Sequence, residues 1–170
     1  YDTDILDLFT NPKIDVSGGN WALLCNSVHF IIYILYFITD FTLDFKQNSD
    51  IIDSKRNNFK EIYGRLYNDN INISCSDKDE NICITFTENQ HKLVIEVDNI
   101  VTFFHYENDI LVSEFTKKFL HTSVYFESEY KNLLLHKETN LCKYDKGLLA
   151  HKIFFDAIKN LFNTELLPIT

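Results

Sequence analysis

The sequence predicts an α+β fold, in which an antiparallel β-meander of about four strands packs against a long N-terminal helix and C-terminal helices. Residues 70–106 contain four apolar runs of strand length separated by short polar turns. The segments on either side carry apolar residues at helical spacings of three and four. With 170 residues, of which 45% are hydrophobic, the chain is expected to form a single domain over 1–170.

The first helix is expected from Trp21 to Phe45, after a turn at Ser17–Gly19 and a cap at Asn20. Its first 19 residues, 21–39, contain no Asp, Glu, Lys or Arg, which is about the length of a membrane span. Polar side chains nevertheless recur every three or four residues and form one stripe: Asn26, His29, Tyr33, Tyr36, Asp40 and Asp44. Because a lipid-facing helix gains nothing from such a stripe, an amphipathic helix on a core is predicted, with no membrane contact.

Four strands are expected in the runs INISCS, ICITFTE, KLVIEVD and NIVTFFHY. A two-residue turn at Asp98–Asn99 predicts that Ile95 faces Thr102 and that Leu93 faces Phe104. This arrangement gathers most apolar side chains on one sheet face. Such a face needs a cover, which the flanking helices are expected to supply.

Two further elements are expected after the meander. Ser113 is placed to cap a helix that contains Phe115, Phe119 and Leu120. Asp145 is placed to cap a last helix whose apolar residues keep to one face.

The four cysteines, Cys25, Cys75, Cys83 and Cys142, show no C-x-x-C spacing, so no zinc or thioredoxin site is predicted. Cys75 and Cys83 flank a turn, but pairing them directly would split the apolar face of the two strands. Reduced thiols are therefore expected. The first 11 residues carry three aspartates and no basic charge, unlike a secretory leader, which favours a cytoplasmic protein.

Metal-binding and catalytic motifs were tested against their spacing. Asp77, Asp79 and Asn81 match the first ligands of a calcium-binding EF-hand loop, but Ile82 occupies the position that requires glycine. The six histidines are spread singly through the chain. Cys25 and His29 are four residues apart, yet no third orienting group accompanies them. No metal, cofactor or catalytic residue is therefore predicted.

The formal charge of −9, from 25 acidic and 16 basic residues, disfavours nucleic acid as a ligand and favours a basic protein partner. Acidic side chains cluster near the predicted turns. The predicted partner-binding residues are Asp77, Asp79, Glu80, Glu107, Asp109 and Glu114.

The chain resembles bacterial toxin-immunity proteins in its small size, acidity and richness in Asn, Ile, Lys, Phe and Tyr. The segments IDVSGGNWALL and ILVSEFTKKFL also contribute to this likeness. The resemblance implies a protein that neutralises a basic toxin, such as a nuclease, by covering its active site. The alternative is a small-ligand-binding protein or enzyme with a pocket between the long helix and the sheet, lined by His29, Tyr33, Tyr36 and Asp40. The third hypothesis is a viral or structural accessory protein.

Overall fold

A computed structural model describes most of the chain. The described residues are 5, 7–20, 22–47, 52–53, 60–78, 82–96, 100–118, 122–139 and 141–161. The strands are β1 (Lys13–Gly18), β2 (Asp44–Gln47), β3 (Ile52–Asp53), β4 (Lys60–Glu61), β5 (Gly64–Tyr67), β6 (Ile71–Cys75), β7 (Ile82–Glu88), β8 (His91–Glu96), β9 (Ile100–Glu107) and β10 (Ile110–Lys118). The helices are α1 (Leu23–Ile34), α2 (Thr122–Leu134) and α3 (Tyr144–Ile158), the last continued by a 3₁₀ turn at Lys159–Leu161.

Eight strands form one mixed sheet in the order β10-β9-β8-β7-β1-β6-β5-β2, and β3 pairs with β4 in a separate two-stranded sheet. Of the seven neighbouring pairs in the large sheet, β1–β6 is parallel and the other six are antiparallel. The predicted four-strand meander is therefore wrong. The sheet has twice that number of strands, and the first one is inserted between β6 and β7.

The insertion of β1 follows from its alternating side chains. Ile14 and Val16 are buried, whereas Lys13 and Asp15 are exposed. Val16 lies opposite Ile73 on one side and Ile84 on the other, so β1 completes an apolar face shared by three strands. The turn predicted at Ser17–Gly19 therefore begins later than expected, because Ser17 and Gly18 belong to β1.

The same insertion separates the two cysteines of the predicted first hairpin. Cys75 ends β6 and is buried, and Cys83 lies on β7 beyond β1. Their side chains point to opposite faces, because Cys83 lies opposite Ser17 whereas Cys75 shares the face of Ile73.

The first helix is shorter than predicted. α1 has 12 residues and ends at Ile34, and Phe45 lies in β2 opposite Leu66. The amphipathic pattern holds within the helix, since Ile31 and Ile34 are fully buried while Tyr33 is exposed. Among the described residues, helices fall short of the length and apolar character needed to cross a membrane.

The core lies between one face of the sheet and α1 and α3, which also pack against each other. α1 contacts β1 and β6, and α3 contacts β2. The largest fully buried side chains include Phe86, Phe154, Ile14, Leu23, Ile31 and Leu66. We call this the helix-side face; the other face of the sheet carries polar residues such as Asp15, Asn72 and Thr85.

The pairing of β8 with β9 differs from the prediction by one residue. Ile95 lies opposite Val101 and Leu93 lies opposite Phe103, while the turn at 97–99 falls outside the described residues. The observed register places Val101 and Phe103 on the helix-side face. Apolar pairing across the strands therefore determines the register, rather than an assumed two-residue turn.

The predicted helix beginning near Ser113 is wrong, because this segment forms β10. Asn108 and Asp109 adopt φ values of 49° and 63° and connect β9 to β10, with Glu107 opposite Ile110. Two consecutive residues with positive φ favour a tight hairpin turn, because the twist of such a turn matches that of the two strands. Phe119 and Leu120 lie outside the described residues. The predicted last helix is present as α3, although Lys143 precedes its first turn rather than Asp145.

Candidate functional site

Four polar residues form a row across β7, β8, β9 and β10. Glu88 lies opposite His91, His91 opposite His105, and His105 opposite Ser113. Directly opposed residues in antiparallel strands have Cβ atoms about 5 Å apart, so these side chains are neighbours. They share the helix-side face with Phe86, Leu93, Phe103 and Phe115. We call Glu88, His91, His105 and Ser113 the histidine row.

His91 is surrounded by rings. Its imidazole stacks on that of His105 at a centroid distance of 4.9 Å and on Phe103 at 5.6 Å. The ring of Phe9 meets it edge-on at 6.5 Å. These contacts fix the plane of His91 and provide it with an aromatic environment.

His105 joins the row to a carboxylate. Its Nε2 lies 3.7 Å from Oε1 of Glu107, two residues later on the same face of β9. Its Nδ1 is buried and has no hydrogen-bond partner among the described residues. The His105 side chain is 27% exposed, so it lies at the border between the packed sheet and solvent. The exposed part of this imidazole can contact a polar group of a ligand, whereas Nδ1 itself is covered by protein.

The pKa of His91 lies below its ordinary value of 6.5. Burial is the main cause and the positive charge of His105 adds to it, whereas Glu88 acts in the opposite direction. His91 is therefore mostly neutral at pH 7. A neutral imidazole offers one N–H donor and one acceptor nitrogen.

Glu88 holds the segment before β1 against the row. Thr10 Oγ1 donates to one oxygen of this carboxylate at 3.0 Å, and the backbone N–H of Asn11 donates to the other at 2.9 Å. Phe9, from the same segment, is buried and meets Phe86 edge-on at 6.4 Å. The segment Phe9–Asn11 thus borders the histidine row beside Glu88. At the other end the row finishes at Ser113 on the exposed strand β10.

The predicted partner-binding residues do not come together on one surface. Asp77 follows β6, while Glu107 and Asp109 lie in the β9–β10 turn. β6 and β9 run in opposite directions and are separated by three strands, so these groups occupy opposite ends of the sheet. Glu114 lies opposite Phe104, on the face away from the helices. Asp79 and Glu80 lie outside the described residues, and partner binding by any of the six stays a prediction.

The four residues suggested to line a ligand pocket between the long helix and the sheet do not face the sheet. His29, Tyr33, Tyr36 and Asp40 are all exposed on the outside of the helix and the turn that follows it. Lys146 of α3 places its Nζ 3.4 Å from the ring centroid of Tyr36. These residues belong to the outer surface because their stripe faces away from the sheet.

The loop that partly matches an EF-hand is followed directly by β7, which begins at Ile82, so an extended strand occupies the second half of the calcium-binding motif. Asp79 and Asn81 lie outside the described residues. Within the described ranges, His, Cys, Asp and Glu side chains form no group of three or more that could hold a metal ion.

The histidine row was not predicted from the sequence, although part of its signal is local. Glu88 and His91 flank the pair Asn89–Gln90 and lie opposite each other across this tight turn, where Asn89 has a φ of 51°. The meeting of His91 with His105 depends on the register across the next turn.

Comparison with known proteins shows likeness in fold. No family model matches the chain, and no curated protein matches its sequence. A protein assigned as an NADPH-dependent oxidoreductase from Desulfitobacterium hafniense superposes with a TM-score of 0.63 at 9% identity, over 94% of this chain and 58% of that chain. UDP-N-acetylglucosamine 3-dehydrogenase GnnA from Acidithiobacillus ferrooxidans gives 0.55 at 9% identity, over 89% and 52%. The transcriptional regulator Gal80p from Kluyveromyces lactis gives 0.53 at 16% identity, over 94% and 55%.

These likenesses correct the functional hypothesis. The chain shares its fold with these two oxidoreductases and with the transcriptional regulator, and it spans little more than half the length of each. The resemblance to toxin-immunity proteins, which rested on size, acidity and composition, is wrong. Size, acidity and composition do not determine a fold, whereas the eight-stranded mixed sheet is the fold itself.

Proposed function

We propose that this chain is a small-ligand-binding domain of a dehydrogenase-type protein and that the ligand binds on the histidine row. The stacked pair of His91 and His105 carries the proposal. It combines aromatic surface, a neutral imidazole and an unpartnered buried nitrogen on one sheet face. Most ligand sites have this composition, in which apolar walls surround a few polar groups.

The ligand we propose is a small ring that bears hydroxyl groups. Phe103 and the exposed Phe115 offer ring faces for its apolar side, and His105 and Ser113 offer hydrogen bonds for its hydroxyls. One structural neighbour is a dehydrogenase of a nucleotide sugar, which supports a sugar as the first compound to test.

A dinucleotide is less suited to this domain. A dinucleotide-binding fold places a glycine-rich turn at the end of a parallel sheet, whereas only one of the seven described strand pairs of the large sheet is parallel. The turn after β1 is packed against protein. A Cβ on Gly18 would overlap Cys75 Sγ, and the N–H of Leu23 at the start of α1 donates to the carbonyl of Ile62 at 2.9 Å. In a longer protein of this type, a nucleotide cofactor would be held by another domain.

The proposal concerns binding rather than turnover. One neighbour of the same fold is a transcriptional regulator, so the fold alone does not imply a reaction. The histidine row can position a hydroxyl group and exchange a proton with it. A hydride acceptor for the reaction would have to come from outside this domain.

Ligand titration followed by NMR tests the proposal. Hexoses, amino sugars and UDP-sugars are titrated into the labelled chain, and the expected result is saturable shifts confined to His91, His105, Ser113 and their neighbours. His105→Phe keeps the ring stack but removes both nitrogens, and it should weaken binding at least about tenfold, as expected for a lost hydrogen bond to a buried partner. His151→Phe on α3 is the matched control. Saturable binding that leaves the histidine row unperturbed would exclude this site.

A further inference from the structure

Among the described residues, β10 is the only strand of more than two residues that is exposed along its whole length. Every residue of this nine-residue strand is exposed. Its large apolar side chains are between 46% and 69% exposed: Ile110, Leu111, Val112 and Phe115. β10 is the last strand of the sheet, so alternate backbone N–H and C=O groups point away from β9 along its length. Such an edge is a template for pairing with another strand.

We propose that β10 pairs with β10 of a second copy of this chain, in antiparallel orientation, so that two sheets join across a two-fold axis. A two-fold axis perpendicular to the sheet places β10 of one copy beside β10 of the other. Each contact between the two strands then occurs twice. The β-bulge between Leu111 and Ser113 confines regular pairing to Ser113–Lys118. The axis therefore lies within this short segment.

Charge complementarity selects the residue on the axis. When Thr116 lies on it, Glu114 of each copy faces Lys118 of the other, which gives two opposite-charge pairs on the face away from the helices. An axis at Glu114 would place two carboxylates against each other. An axis at Phe115 would stack two phenyl rings but would leave Glu114 opposite Thr116. Thr116 is also held in place, because its Oγ1 lies 3.2 Å from that of Thr102 on β9.

The local charge favours this strand as the contact. The chain carries −9 overall, so two copies repel each other through most of their surfaces. β10 itself contains Glu114, Lys117 and Lys118 and has a net charge of +1. Pairing of six residues buries less than the roughly 800 Å² per partner of a standard interface, so the dimer is expected to be weak and concentration-dependent.

Sedimentation velocity over a concentration series tests the pairing. The unmodified chain should pass from monomer to dimer as its concentration rises to the millimolar range. Glu114→Lys alone and Lys118→Glu alone should each weaken the dimer at least about tenfold, and the two substitutions together should restore it, because each pair is then reversed rather than broken. Lys152→Glu on α3, where the side chain is exposed, is the control for net charge. A chain that stays monomeric throughout, or double reversal without recovery, would overturn the proposal.

Cysteine cross-linking tests the register independently and does not depend on the charge variants being folded. In a background with Cys142→Ser, which removes an exposed thiol, Thr116→Cys should give a disulfide-linked dimer under mild oxidation. Lys118→Cys should not, because residue 118 faces residue 114 in this register. The reverse pattern, or equal cross-linking at both positions, would contradict a two-fold axis at Thr116.

Discussion

His91 and His105 stack directly across β8 and β9 with their ring centroids 4.9 Å apart. We expect the stability of the sheet to depend on pH through His91. The pKa of His91 is lowered from 6.5, mainly by burial and further by His105, against the opposing effect of Glu88. At His91 the unfolded chain therefore binds a proton more readily than the folded chain does, and the difference develops as the pH falls below 6.5. Stability from this group is complete above pH 6.5, and it should fall as the pH drops below that value.

Urea unfolding between pH 5 and pH 8 measures this dependence. The midpoint of the original chain should decrease on the acid side, and His91→Phe, which keeps an aromatic ring in the stack, should reduce the slope. His29→Asn changes an exposed histidine on α1 and is the matched control, which should leave the slope unchanged. An identical acid slope in His91→Phe would show that other groups cause the dependence.

Gly18 and Cys75 should depend on each other. A Cβ at residue 18 would overlap Cys75 Sγ and come within 3.2 Å of the Phe30 ring. Gly18→Ala is expected to lower the free energy of unfolding by roughly 1–3 kcal/mol, the usual cost of overpacking. Cys75→Ala removes the sulfur, so the same glycine substitution should cost less in that background. Additive losses in a double-mutant cycle measured by urea unfolding would contradict this coupling.

The thiol of Cys75 should also be unreactive in the folded chain. Burial raises its pKa to about 12, so almost no thiolate forms at neutral pH. Cys142, which is exposed, should react with a thiol reagent much faster than the buried Cys75. Mass spectrometry after brief labelling measures both sites. Rapid modification of Cys75 in the native state would mean that the β5–β6 end of the sheet opens readily.

The strand pattern shows how much of the fold could be predicted. The alternation in β6 to β9 was visible along the sequence, because a sheet with one apolar face imposes a period of two. The position of β1 was not, because its pairing of Ile14 with Ile71 joins residues far apart in the chain and leaves no local signal. The tight turn at Asn108–Asp109 was not predicted, because the segment that follows it carries a helical spacing of apolar residues.

The candidate site depended on a single residue of register. The predicted pairing of Leu93 with Phe104 would have placed His91 opposite Tyr106. The observed pairing with Phe103 brings His91 to His105 and creates the stacked pair. Sequence patterning locates both strands, but only the packing of apolar side chains on the helix-side face determines which polar residues meet.

Two other glycines should respond to alanine in opposite directions. A Cβ on Gly64 would overlap the carbonyl oxygen of Lys46 in the neighbouring strand β2, and a backbone atom cannot move aside alone. Gly64→Ala should therefore destabilise the chain by roughly 1–3 kcal/mol. Gly147 lies in α3 with open space around it, so Gly147→Ala should stabilise by about 0.5–1 kcal/mol. Thermal unfolding of the two variants side by side measures both signs, and a stabilising Gly64→Ala would show that β2 is not packed as described.

Glu88 should control how firmly the segment before β1 is held. Its carboxylate accepts hydrogen bonds from Thr10 Oγ1 and from the N–H of Asn11, and the same segment buries Phe9 beside His91. Glu88→Ala removes both acceptors and should cost about 1–3 kcal/mol, the range for hydrogen bonds to a charged group. Hydrogen exchange at Asn11 should accelerate more than exchange in α3. Glu96→Ala, at the exposed end of β8, is the control and should leave Asn11 protected. Unchanged protection of Asn11 in Glu88→Ala would mean that burial of Phe9 alone holds the segment, and the border of the histidine row would then be set by packing.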